Sequence, residues 1–71
     1  MPAAPNRDII VNGDPVTTGA STLADLLIEL GYGDRKVATA INGDFVPEAV
    51  RETTGLVPNA RIEIVAPRQG G

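Results

Sequence analysis

The chain has no cysteine and no histidine. That excludes a disulfide framework, the usual ligands of a structural zinc site, and nucleophiles of the Cys-His kind. No unbroken apolar run is longer than Ile9-Ile10-Val11, far short of the ~20 residues that span a bilayer, and no charged-then-apolar signal segment opens the chain. The sequence therefore reads as cytoplasmic, with no membrane partner. Positive charge is also sparse: Arg7, Arg35, Lys36, Arg51, Arg61 and Arg68 are scattered among nine acidic residues, for a net charge of −3. Nucleic acid is excluded as a partner on this ground, because its binding rests on clustered cations that displace counterions from phosphates. Also missing are a Gly-x-x-x-x-Gly-Lys phosphate loop, a Gly-x-Gly-x-x-Gly helix opening and any metal-ligand spacing.

What the chain does contain is enough for one small domain. Its 71 residues include 19 Leu, Ile, Val and Phe, a share above the roughly 20% below which chains stay disordered. A chain of this size buries only about 60% of its unfolded surface, so a deep substrate cavity would remove core atoms that the fold needs.

Met1 to Asn6 carries two prolines and little to bury, so residues 1–7 are expected to form a flexible leader. The β-branched run Asp8-Ile9-Ile10-Val11 then meets Asn12-Gly13-Asp14 and Pro15-Val16-Thr17-Thr18. This predicts a hairpin, since a tight hairpin turn needs positive φ at its central residues. Pro15 cannot donate a ladder hydrogen bond and places the second strand, or its start, at a sheet edge. Thr22, with Asp25 three residues on, can open a helix in the manner of a capping box; Leu23, Leu26, Leu27 and Leu30 then share one face, and Gly31 ends it. So short a helix must dock on a sheet to exist.

Val37 to Ile41 reads as a strand, followed by a second Asn-Gly-Asp at residues 42–44 and by Phe45-Val46-Pro47. The pattern leaves open whether Val37, Thr39 and Ile41 or Ala38 and Ala40 face inward. Glu48 to Thr54 is either one helical turn or a loop, and Gly55 to Ala60 breaks the chain before a last strand. There Ile62 and Ile64 point one way while Arg61, Glu63 and Val65 point the other. The body thus spans residues 8–66, and Pro67 to Gly71 is expected to be a flexible tail.

No side chain is read as catalytic. Asp8 with Asp14, and Glu48 with Glu52, have surface-type spacings, and Lys36 reads as a solvated turn residue. The remaining candidate is the terminus itself, Gly70-Gly71, whose lack of side chains lets it thread a narrow channel in another protein. A carboxylate is a poor electrophile and must be activated. An ATP-using partner can convert it to an acyl-adenylate, after which sulfur displaces AMP and leaves a thiocarboxylate. Glycine leaves the carbonyl unhindered on both faces and adopts whatever backbone geometry the partner's reaction requires.

Taken together, Ile9-Ile10-Val11-Asn12-Gly13, Thr22-Leu23-Ala24-Asp25-Leu26-Leu27, Val37 to Pro47, Arg61-Ile62-Glu63-Ile64-Val65 and Gly70-Gly71 resemble the ThiS family of sulfur carriers in thiazole and thiamin biosynthesis. The likeness runs in order from about residue 8 to residue 71. It implies an α+β architecture, the β-grasp or ubiquitin-like fold, in which a mixed sheet curls round one helix with its first and last strands central. It also implies adenylation of Gly71 by a ThiF-type enzyme using ATP, a sulfur donor enzyme, and sulfur delivery to the thiazole synthase ThiG. No bound cofactor and no metal is implied. Gly71 would be the site of adenylation and of the thiocarboxylate, with Gly70, Gln69 and Arg68 entering the partner's active site. Many relatives have Gly-Asp where this chain has Asn59-Ala60, a mild change because Asn tolerates left-handed turns. They also have a more apolar residue or Gly where it has Arg68-Gln69, so Arg68 either meets an acidic channel wall or keeps the tail soluble. The small subunit of molybdopterin synthase shares the fold and the Gly-Gly end, and a ubiquitin-like binding module that carries no sulfur is a further alternative.

Overall fold

The computed structural model describes residues 6–33 and 35–66. Strand β1 (Arg7–Val11) and strand β2 (Asp14–Thr18) form the first hairpin, with Ile9 opposite Val16. Asn12 and Gly13 both take positive φ, at 51° and 87°, the left-handed pair that a two-residue hairpin turn requires. Arg7, which the sequence reading assigned to the leader, is the first residue of β1. It pairs with Thr18, and its Nη1 donates to the Leu56 carbonyl at 2.9 Å. The expected leader up to residue 5 lies outside the described residues.

Helix α1 (Leu23–Glu29) begins where the sequence predicts, at Thr22, whose hydroxyl accepts from the Asp25 N–H at 3.1 Å. It ends in a Schellman arrangement: Tyr32 N–H donates to the Leu27 carbonyl and Gly31 N–H to that of Ile28, with Gly31 at φ 91°. Leu23, Leu26 and Leu27 are buried and Leu30 packs against the core, each fully buried leucine contributing about 1.5–3 kcal/mol. Asp25 and Glu29 face outward.

A second hairpin joins β3 (Ala38–Ile41) to β4 (Asp44–Val46) through Asn42 and Gly43, at φ 51° and 88°. Thr39 is buried while Val37 and Ile41 pack against the core, so the bulkier set faces inward, the question the residue pattern alone left open. A six-residue 3₁₀ helix (Glu48–Thr53) follows. Arg51 ties it down: Nη2 donates to the Val37 carbonyl at 2.6 Å and Nε to Thr39 Oγ1 at 3.1 Å, while that hydroxyl donates to the Val46 carbonyl at 2.8 Å.

The last strand, β5 (Arg61–Val65), lies in the middle of a five-stranded sheet of order β2-β1-β5-β3-β4. It runs parallel to β1 and antiparallel to β3. Both edges belong to the second strands of the hairpins, so Pro15 does sit on an edge strand, where a missing ladder donor costs least. The helix leucines, Ile9, Val46, Ile62 and Ile64 meet in one core between helix and sheet. Leu56 and Ala60, in the segment read only as a break, belong to that core as well. Asn59 takes φ 67°, a left-handed conformation that asparagine tolerates.

Candidate functional site

The expected site residues Arg68, Gln69, Gly70 and Gly71 lie outside the described residues; their point of departure, Ala66, is described. It is exposed and directly follows β5. How β5 is held therefore decides where the chain leaves the sheet.

On one flank, β3 accompanies β5 to its last residue, with Ala38 opposite Val65. On the other flank the parallel ladder stops early. Ile10 N–H donates to the Ala60 carbonyl and Asn12 N–H to that of Ile62, both at 2.9 Å, and β1 then turns away. In an uninterrupted parallel ladder, residue 12 would next accept from Ile64 N–H through its own carbonyl, and residue 14 would donate to the Ile64 carbonyl. The left-handed backbone of Asn12 forbids that. Its side-chain amide supplies both bonds: Oδ1 accepts from Ile64 N–H at 2.8 Å and Nδ2 donates to the Ile64 carbonyl at 3.1 Å.

Asn42 does the same at the opposite end of β5. Its N–H donates to the Arg61 carbonyl at 2.8 Å, and its Oδ1, in place of its own carbonyl, accepts from Arg61 N–H at 2.9 Å. Sequence reasoning took both asparagines as turn formers alone. Their second role depends on strand β5, whose place between the two turns is not a local property; the recurrence of Asn-Gly was the one available signal.

The outer face of the sheet near the exit carries exposed apolar side chains on either side of Glu63. Val65 is 62% and Phe45 68% exposed, and the registers Ala38 to Val65 and Ala40 to Phe45 put all four side chains on that face. Elsewhere the described residues offer no reactive constellation. Thr18 donates to the Glu29 carboxylate at 2.8 Å, a hydroxyl-base pair in form, yet Thr18 is 1% exposed and also accepts from Ala20 N–H. No substrate can reach it. Asp8, Asp14, Glu48, Glu52 and Lys36 are exposed, as expected of a solvated surface. Among the described residues no group of three or more potential ligands could hold a metal ion, and no helix is long and apolar enough to cross a membrane.

A mixed sheet with parallel central strands β1 and β5, two flanking hairpins and one helix across its inner face defines the β-grasp class. Residues 7–71 match the ThiS family, and the chain belongs to it. The crystal structure of a thiamine biosynthesis protein, ThiS, from Geobacter metallireducens is similar, with a TM-score of 0.75 and 25% identity over 90% of this chain and 99% of that one. No curated protein matches the chain. Family and structural neighbour together support a small sulfur carrier of thiamine biosynthesis.

Proposed function

We propose that the protein carries sulfur on its C-terminus. A ThiF-type enzyme joins the Gly71 carboxylate to the AMP portion of ATP and releases pyrophosphate. Sulfur from a donor enzyme then displaces AMP, so that one carboxylate oxygen leaves with AMP and the terminus becomes a thiocarboxylate. Its sulfur passes to ThiG during thiazole assembly in the cytoplasm. The chain is a co-substrate in this scheme, with ATP bound and spent by the partner.

The observation that carries the reading is the family match through Gly71, in a chain whose central strand β5 ends at Val65, six residues before that glycine. Two further features agree with it. Among the described residues the accessible hydroxyl-carboxylate pair, Thr17 donating to Asp8 at 2.8 Å, is a cross-strand surface contact with no third group to complete a catalytic set, so the chemistry falls to the terminus and to partner enzymes. The exposed Phe45 and Val65 lie on the face next to the exit, where a partner that takes the tail can also cover apolar surface. The test is the intact mass of the full chain after incubation with ATP, the activating enzyme and a sulfur donor. Replacement of one oxygen by sulfur is expected, together with its loss when Gly70 and Gly71 are deleted; an unchanged mass with active enzymes rejects the proposal.

A further inference from the structure

We infer that Asn12 is a positioning residue for the C-terminus: its side-chain amide extends the β1 ladder past the point where β1 itself ends and so fixes where the chain leaves the sheet. The inference rests on the carrier reading above for its functional consequence, and on hydrogen-bond geometry for its structural one.

The flank of β5 that faces β1 bonds through Ala60, Ile62 and Ile64. The Ala60 and Ile62 carbonyls accept from β1 main chain. Ile64, two residues before the chain leaves the described body, receives both of the bonds given above from one side chain 52 positions away. Without that amide the N–H and carbonyl of Ile64 would face the turn unpaired, and β5 would be held on one side only over its last residues. A strand paired on one side frays from its end. The direction in which the chain leaves the sheet at Ala66 would vary more, and a partner enzyme would have to fix it when it binds. That cost falls on association and leaves the chemical step alone.

Asn42 is a control already present in the molecule. It has the same φ of 51°, precedes a glycine of the same conformation, and accepts from β5 main chain at Arg61, the end remote from the exit. Asn42→Gly and Asn12→Gly both keep left-handed turns, because glycine adopts positive φ freely, and each removes one amide. Asn12→Asp keeps an acceptor for Ile64 N–H and sets a carboxylate oxygen, which cannot donate, against the Ile64 carbonyl.

The experiment is made on the full chain and has two readouts. Amide hydrogen exchange and ¹⁵N relaxation should show a faster-exchanging Ile64 and a more mobile Ala66 in Asn12→Gly, with Ala66 unaltered in Asn42→Gly. In adenylation assays with the activating enzyme, Asn12→Gly should raise the KM for the carrier by roughly three- to tenfold at unchanged kcat. Asn12→Asp should raise the KM as well, and Asn42→Gly should stay within about twofold. An Ala66 amide as rigid in Asn12→Gly as in the parent overturns the inference, and so does a KM raised equally by Asn42→Gly. If Asn12→Gly does not fold, Asn12→Asp supplies both readouts. If the parent chain is not adenylated at all, the carrier reading fails, and the Ala66 dynamics still decide whether Asn12 holds the exit.

Discussion

The two hairpins are built alike and used differently. Each turns on Asn-Gly with nearly identical φ values, each sends its second strand to a sheet edge, and each buries one threonine, Thr18 in β2 and Thr39 in β3. Each also lends an asparagine amide to β5. They differ in direction, since β1 runs parallel to β5 and β3 antiparallel. The first turn therefore sits toward the end of β5 and the second beside its start. The same dipeptide secures the exit of the chain in one case and its entry into the sheet in the other, so the role of a local motif is set by the direction of the strand it serves.

Substitutions can break or sharpen that comparison. The largest effect is expected where both hairpins meet, at Ile62, which is 1% exposed and pairs with Val11 on one side and Ile41 on the other. Ile62→Ala should cost about 2–5 kcal/mol in urea unfolding, a large share of the stability of so small a domain; a cost under about 1 kcal/mol would mean that the hairpins do not share this core. Next come the buried threonines. Thr39→Val removes the acceptor of Arg51 Nε and the donor to the Val46 carbonyl, and Thr18→Val the acceptor of Ala20 N–H and the donor to Glu29. Each should cost about 1–3 kcal/mol, Thr39→Val more, because Glu29 is exposed and can turn to water while the Arg51 contacts are partly buried. Equal unfolding midpoints for the two variants would contradict that ranking.

Smaller still are the turn glycines. A Cβ at Gly13 or Gly43 meets no atom within 4 Å, so Gly13→Ala and Gly43→Ala should each lose only the backbone cost of a left-handed alanine, about 1–2 kcal/mol, and by equal amounts. Unequal losses would show that the turns are not equivalent. On the outer face, Phe45→Asp should leave the unfolding midpoint within about 0.5 kcal/mol of the parent, since Phe45 is 68% exposed. It should nevertheless weaken recognition by the activating enzyme, read as a raised KM; an unaltered KM would leave that face without a part in binding.

Much of this fold is legible in the residues. Asn-Gly between β-branched runs gives both hairpins, Thr22 and Gly31 bracket the leucine stripe of α1, and alternation at Ile62 and Ile64 gives β5. These are short-range signals, in which a single backbone angle or a repeat of two or three residues carries the information. The strand order came only with the family resemblance, because pairing of β1 with β5 joins residues about fifty positions apart and leaves no local trace. Leu56 and Ala60 were hidden in a segment whose Gly and Pro announce a break, although a break can still bury an apolar side chain. The facing of β3 was undecidable while its core neighbours were unplaced. For the site, the sequence offered the tail glycines by their simplicity and only the recurrence of Asn-Gly for the asparagine amides, whose partners exist only once β5 is inserted.

The most direct test of the carrier account blocks the terminus and changes nothing else. The full chain prepared with Gly71 as a carboxamide should retain the spectrum of the folded body and should support no thiazole formation with the activating enzyme, sulfur donor and thiazole synthase, whereas the free acid should support it. Equal product from the amide and the acid would contradict the account.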